Sequence, residues 1–254
     1  MCVFSVVYRV LPDCPIFVLT NRDESTERPT LSPRVFESTS PNGSRWFGGA
    51  DQRAGGTWLG VNERGLLVAV TNRKTATVPD NPRSRGLLCR DILEGATDQH
   101  LLGELTWGAY AGFNLITLVP YSADVFEHGD ESVWRELKPG VHTIGNGDLD
   151  AADDPRVQRT QKLVEEMVSA ERGRSWTNCI ERAEAICRLP AEGGLPGISL
   201  HGEGWGTVGS TIIGLPLDSG HCVYHYAAGP PCRTAYVDYS TSLRELLAGA
   251  ASGD

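Results

Sequence analysis

Strand-like segments crowd the two ends of this sequence, and helical spacing is concentrated in its middle. The run Val3 to Val10 is apolar and β-branched and predicts a buried strand. Asp13 marks a turn, and Ile16 to Thr20 predicts a second strand, so the chain opens on a hairpin. That second strand runs straight into Asn21-Arg22-Asp23-Glu24, placing four polar side chains where a strand is expected to end. Residues 25–50, rich in Ser, Pro, Asn and Gly, predict a long excursion. Thr57 to Val61 and Leu66 to Thr71 flank a turn at residues 62–65, and Asn72 follows at the strand end. Helical spacing covers Arg85 to Leu93 and Asp98 to Leu105. Strands follow at Gly112 to Val119 and Asp124 to His128, and Thr143-Ile144 leads into the turn Gly145-Asn146-Gly147. Pro155 to Ala170 is the clearest helix, with Pro155 in its first turn and Val157, Leu163, Val164, Met167 and Val168 on one face. A helix is expected near 177–189, then strands at 206–215, 222–227 and 234–237, and a short helix at 242–247.

Strands, then helices, then strands is not the alternation of a doubly wound α/β protein. The glycine pairs Gly48-Gly49 and Gly55-Gly56 precede strands, whereas phosphate loops precede helices. The class expected is α+β. At 254 residues one domain spanning 1–254 is expected, able to bury roughly 70–75% of the surface of its unfolded chain. A formal net charge of −9 repels phosphate backbones and argues against nucleic acid. The seven cysteines are odd in number, and none forms a CxxC pair. The start, MCVFSVVYRV, has no charged leader region, and no apolar run approaches the roughly 18 residues of a membrane helix. The thiols are therefore expected to be reduced and the protein cytoplasmic, with no transmembrane segment.

The second residue carries the most chemistry. Removal of Met1 is favoured when a small residue follows it, and would leave Cys2 with a free α-amine beside its thiol. The amine titrates at about 7.7–8 and a free thiol at about 8.5, so the amine can accept the thiol proton near neutrality. Nucleophile and base then come from one residue. Cys2 opens a strand, which pins it. Asp23 and Arg22 end the neighbouring strand, where charge can hold the ammonium or tune the thiol. Asn72 and Asn146, both at strand exits, are candidate oxyanion donors.

The stretches MCVF, TNRDE, GGTWLGVNERG, VTNR and AGFNL resemble the NRDE family, which includes the transport and Golgi organisation protein 2 group. The resemblance spans most of the chain. It implies the fold of the N-terminal nucleophile hydrolases, a four-layer αββα sandwich with antiparallel sheets. In its choloylglycine hydrolase and penicillin acylase branch, a mature N-terminal Cys attacks an amide. By motif, Cys2 matches that nucleophile, Asp23 the Asp after the second strand, and Asn72 and Asn146 the two Asn residues. Arg22 is assigned with them, although the acylases place their Arg where Thr20 stands here. Val208 occupies a position where NRDE proteins often have Arg. Asn21, Trp58 and Asn114 are the candidate substrate-binding residues.

Two functions follow as expectations. One is a cysteine hydrolase of an acyl amide, ester or thioester, with no cofactor and no metal. The other is a binding or trafficking protein holding haem, lipid or acyl-CoA in the same cleft, as the family's association with haem and lipid handling implies. His221, Cys222, His225 and Cys232 do not suggest a metal, because on a strand the two histidines lie about 13 Å apart and Cys222 points the other way. Cys14-Pro15 reads as a turn cysteine rather than a haem ligand. Most of the six tryptophans read as packing. Oligomeric state is left open by these patterns.

Overall fold

The computed structural model describes residues 2–95 and 107–251. In chain order the strands are β1 (Val3–Leu11), β2 (Cys14–Ser25), β3 (Thr30–Phe36), β4 (Trp46–Asp51), β5 (Leu59–Asn62), β6 (Leu67–Asn72), β7 (Phe113–Val119), β8 (Ser122–His128), β9 (Ser132–Glu136), β10 (Gly140–Ile144), β11 (Trp205–Leu215), β12 (Val223–Ala227) and β13 (Val237–Asp238). The helices are α1 (Arg85–Leu93), α2 (Pro155–Ala170), α3 (Cys179–Arg188) and α4 (Ser240–Ala251). The helix expected at 98–105 lies outside the described residues. The chain divides into two compact units, Met1–Glu27 with Leu137–Ser240, and Arg28–Glu136 with Thr241–Asp254. All strand pairs among the described residues are antiparallel, and the α+β class expected from the order of elements is the class observed. No helix among the described residues is long and apolar enough to cross a membrane.

The first unit holds a six-stranded sheet in the order β10-β1-β2-β11-β12-β13. Its two longest strands, β2 and β11, pair from Ile16↔Leu215 to Ser25↔Trp205. Helix α2 packs on β1 and β10, and α3 packs on β2 and β11. Val3, Val7, Phe17 and Leu19 from the strands meet Val164 and Met167 of α2 and Ala183 and Ile186 of α3 in one buried core. The turn before α3 adds Trp176, whose ring lies edge-on to Phe17 at 6.3 Å. That ring also fills the space over Gly214 of β11.

The second unit holds a seven-stranded sheet in sequential order, β3 to β9. Helix α1 packs on β5 and β6. Its Leu88, Cys89, Ile92 and Leu93 share a core with Val68, Val70, Phe113, Leu115 and Phe126.

Three expectations about strands are corrected. The excursion at 25–50 contains β3 and β4. Pro33 lies at a register shift between Leu31 and Arg34 on β3, which is the sheet's edge, where a missing N–H is tolerated. Gly48 reads as loop but permits close approach: a Cβ there would lie 2.5 Å from the Leu59 carbonyl oxygen. The second correction is β2, which does not end at Thr20. Asn21 still pairs with Val3, and Arg22 to Ser25 pair with β11. The third is the strand expected at 234–237, of which only Val237 belongs to β13; β9, which no local pattern announces, has five exposed residues and so no apolar alternation.

A methyl group at Gly214 would overlap the Trp176 ring. Gly214→Ala is therefore expected to destabilise the protein by about 1–3 kcal/mol through overpacking. The midpoint of urea unfolding at constant slope is the measurement.

Candidate active site

Val3, Val7, Phe17 and Leu19 face α2 and α3. Strand alternation therefore sends Asn21 and Asp23 to that face, and Thr20 and Arg22 to the opposite one. The contacts agree. The Asn21 Nδ2 donates to the carbonyls of Cys187 and Ile198, both at 2.9 Å. Asp23 meets the first turn of α2: Arg156 Nη1 donates to its Oδ2 at 2.5 Å, and Thr207 Oγ1 of β11 donates to its Oδ1 at 2.6 Å. Arg156 Nη2 donates to the Ile198 carbonyl at 2.6 Å. Asp23 is only 3% exposed. Burial pushes its carboxyl up, against the opposing pull of the Arg156 guanidinium and the Thr207 hydroxyl.

Cys2 lies half-buried just ahead of β1. Its backbone nitrogen, the atom that would become the α-amine if Met1 were removed, donates to Asn146 Oδ1 at 3.2 Å. With Oδ1 engaged, Nδ2 is the end of that amide able to donate elsewhere. Burial pushes the Cys2 thiol above its ordinary value, and the negative charge of Asp23 adds to this. A hydrogen bond from the Asp23 backbone amide and the charge of Arg22 pull in the other direction without reversing the outcome. At neutral pH the thiol is therefore held protonated and needs a base.

Asn146 is placed by a tight turn. β10 ends at Ile144, and Asp150 returns to it: the Asp150 amide donates to the Thr143 carbonyl at 2.8 Å, and the Thr143 amide donates to Asp150 Oδ1 at 2.7 Å. The other carboxylate oxygen of Asp150 meets His142 Nδ1 at 2.8 Å. This hydrogen bond raises the His142 pKa, outweighing the opposing effect of burial. Next along the chain, Asp154 caps α2 by accepting from the amides of Arg156 and Val157. One stretch thus delivers both Asn146 and Arg156.

The sequence-expected residues Cys2, Asn21, Arg22, Asp23 and Asn146 all fall in the first unit. Cys2 contacts Asn146, and the charges of Arg22 and Asp23 act on its thiol. Trp58, Asn72 and Asn114 fall in the second unit. There Trp58 packs against the core under α1, and Asn72 closes β6. The buried Asn114 donates to Thr71 Oγ1 at 3.1 Å and accepts from Arg73 at 3.4 Å. Val208 is the extra residue of a β-bulge, since Thr207 pairs with Asp23 and Gly209 with Arg22.

Residue-level reading missed Arg156, Thr207 and the Ile198 carbonyl. The only signal for Arg156 was its place after Pro155, in the first turn of the clearest helix. Tyr226 was missed too: it is buried, its hydroxyl is pushed up to about 12 by burial, and the charge of Arg22 opposes that shift. The four residues weighed as metal ligands go separate ways. His221 meets Asp218, His225 meets Glu184, Cys222 is buried, and Cys232 meets His201.

Two outcomes are expected. Arg156→Ala strips the guanidinium from a buried carboxyl and should cost about 3–5 kcal/mol in chemical denaturation. The His142–Asp150 bond should show in pH dependence. A His pKa raised on folding gives stability that is full below about pH 6.5 and is lost as pH rises through the raised value. The margin in melting temperature of the wild type over His142→Asn should therefore shrink across that window.

Residues 1–190 match the family described as Transport and Golgi organisation 2. A bovine (Bos taurus) transport and Golgi organization protein 2 homolog is 32% identical over 146 residues, covering 53% of this chain and 51% of that protein. The mouse (Mus musculus) homolog is 35% identical over the same length and shares. The chain spans about half the length of these curated relatives. Among solved structures, a C2A mutant of conjugated bile acid hydrolase from Clostridium perfringens superposes with a TM-score of 0.55 at 10% identity, covering 95% of this chain and 93% of that one. A Caenorhabditis elegans N-acylethanolamine-hydrolyzing acid amidase ortholog gives 0.52 at 14% identity, covering 87% and 96%. These likenesses show the fold, which is that of the N-terminal nucleophile hydrolases. With residues 1–190 matched, the chain belongs to the Transport and Golgi organisation 2 family.

Proposed function

We propose that this protein is an N-terminal cysteine hydrolase that cleaves an acyl amide, ester or thioester through Cys2. The observation that carries the reading is the pinned start of the chain: the Cys2 backbone nitrogen is held by Asn146, and its thiol sits within reach of the charges of Arg22 and Asp23. The fold supports the reading, because the solved proteins that share it are named as hydrolases of a conjugated bile acid and an N-acylethanolamine. Seven cysteines without disulfide partners fit a reducing cytoplasm.

In this reading Met1 is removed and the α-amine of Cys2 takes the thiol proton. A thiol kept protonated by burial needs such a base, and the amine is adjacent and titrates nearer neutrality. The sulfur attacks the acyl carbon, and the carbonyl oxygen gains the negative charge. Nδ2 of Asn146 is a donor for that oxyanion, with its Oδ1 held by the amine. The intermediate collapses, the ammonium protonates the leaving group, and a thioester remains on Cys2. Water, activated by the same amine, then releases the acid. Asp23, fixed by Arg156 and Thr207, stabilises the ammonium that forms in each half of the cycle.

The test is turnover of a panel of acyl amides, esters and thioesters, read beside intact mass. Active protein should lack Met1, and Cys2→Ala should abolish turnover while changing the unfolding free energy by no more than about 1.5 kcal/mol. A form retaining Met1 should be inert, and its Cys2 should alkylate appreciably only at pH above the ordinary thiol range. Full activity in Cys2→Ala would overturn the mechanism. Equal ligand binding by both proteins without turnover would mark a binding protein.

A further inference from the structure

Five of the seven cysteines, Cys14, Cys89, Cys179, Cys187 and Cys222, are buried, and Cys2 is half-buried. Cys232 is exposed, and it is not a bare surface thiol. His201 Nε2 lies 3.0 Å from its sulfur, and the hydroxyl of Ser199, itself 1% exposed, donates to the same sulfur at 3.5 Å. The sulfur thus has both a base and a hydroxyl donor in contact with it.

The backbone under both partners is fixed. Cys232 sits in a turn in which the amides of Arg233 and Thr234 donate to the Pro230 carbonyl. Arg188 at the end of α3 donates to the Pro231 carbonyl at 3.3 Å. On the other side, His201 forms an antiparallel bridge with Gly206, and the Leu200 amide donates to Thr207 Oγ1 at 2.8 Å. The sulfur–imidazole contact therefore joins two anchored segments, and His201 itself is exposed, so a reagent has access to the pair. A thiolate needs a base to form and donors to persist, and this surface supplies both.

We propose that Cys232 is a modification site for low-molecular-weight disulfides such as glutathione disulfide, with His201 as the base. His201, in the tautomer bearing its proton on Nδ1, takes the thiol proton on Nε2. The Cys232 sulfur attacks one sulfur of the disulfide. A new S–S bond forms to Cys232, the old S–S bond breaks, and the departing thiolate takes the proton from the imidazolium. The disulfide is the oxidant: Cys232 and one half of the reagent end as a mixed disulfide, and the other half leaves as a thiol. The step uses neither Cys2 nor its reaction.

The experiment follows mixed-disulfide formation at each cysteine by peptide mass mapping, in the full chain carrying Cys2→Ala, with glutathione disulfide at neutral pH. The same chain unfolded in guanidinium is the reference. Cys232 should react first and about threefold to tenfold faster than in the unfolded chain. His201→Asn and His201→Gln, at an exposed position, should bring the rate down to the unfolded value. The adduct should be reversed by added thiol. A folded rate no higher than the unfolded one would overturn the proposal. So would an unchanged rate in both His201 variants, or modification that favours another cysteine.

Discussion

A carboxyl group withdrawn from water must find its compensation inside the protein, and Asp23 finds it 133 residues away along the chain. Arg156 reaches it from the first turn of α2, and Thr207 reaches it from β11. The same guanidinium also holds the Ile198 carbonyl, which Asn21 holds as well. One buried ion pair therefore fastens the helix layer, the central strand pair and the segment leading into β11 around the start of the chain. Such a pair adds little net stability over an apolar substitute, but it fixes geometry, because each oxygen and each N–H has a directional partner.

That fastening explains why the polar segment Asn21 to Glu24 continues a strand rather than ending one. Its alternation is intact, with Asn21 and Asp23 toward the helices. The partners that make burial acceptable come from elsewhere. The bulge at Val208 keeps β11 paired on both sides of this segment. Val208 is thus part of a local irregularity in the ladder. The motif GGTWLG has an equally physical basis in its own unit. A Cβ at Gly56 would overlap the backbone of Gly86 in α1, Thr57 Oγ1 donates to the Gly49 carbonyl at 2.6 Å, and the Trp58 ring lies over Gly49.

Much of this was legible in the residues, and the rest was hidden for identifiable reasons. β1 and α2 were readable because an apolar β-branched run and a proline-started amphipathic pattern are local signals. Cys2, Asp23 and Asn146 are candidates that chemistry and family resemblance name together, and the structure adds the contact of the Cys2 nitrogen with Asn146. β3 and β4 were not, because Ser, Pro and Gly mimic a loop when the reason for them is an edge position or a close approach of backbones. Arg156 was not, because a charged residue in an amphipathic helix is ordinarily assigned to the solvent face. Only the three-dimensional path of β2 reveals that it points inward. The contact between Cys232 and His201 joins residues 31 apart with no shared motif, and nothing in their spacing announces it.

The pairing of Asp23 with Thr207 has a consequence for how this protein comes to exist. Cys2, the strand beside it, the single stretch carrying Asn146 and the start of α2, and the first residues of β11 come from well-separated parts of the chain. Closing such distant contacts costs loop entropy before any of them is rewarded, so topologies of this kind fold slowly compared with locally connected ones. A ribosome that has released only the first 190 residues has produced the cysteine, the aspartate and the arginine, yet neither Ile198 nor Thr207. The thiol therefore exists as a peptide side chain well before it exists as part of a site. The late arrival of β11 separates the making of the residue from the making of its environment.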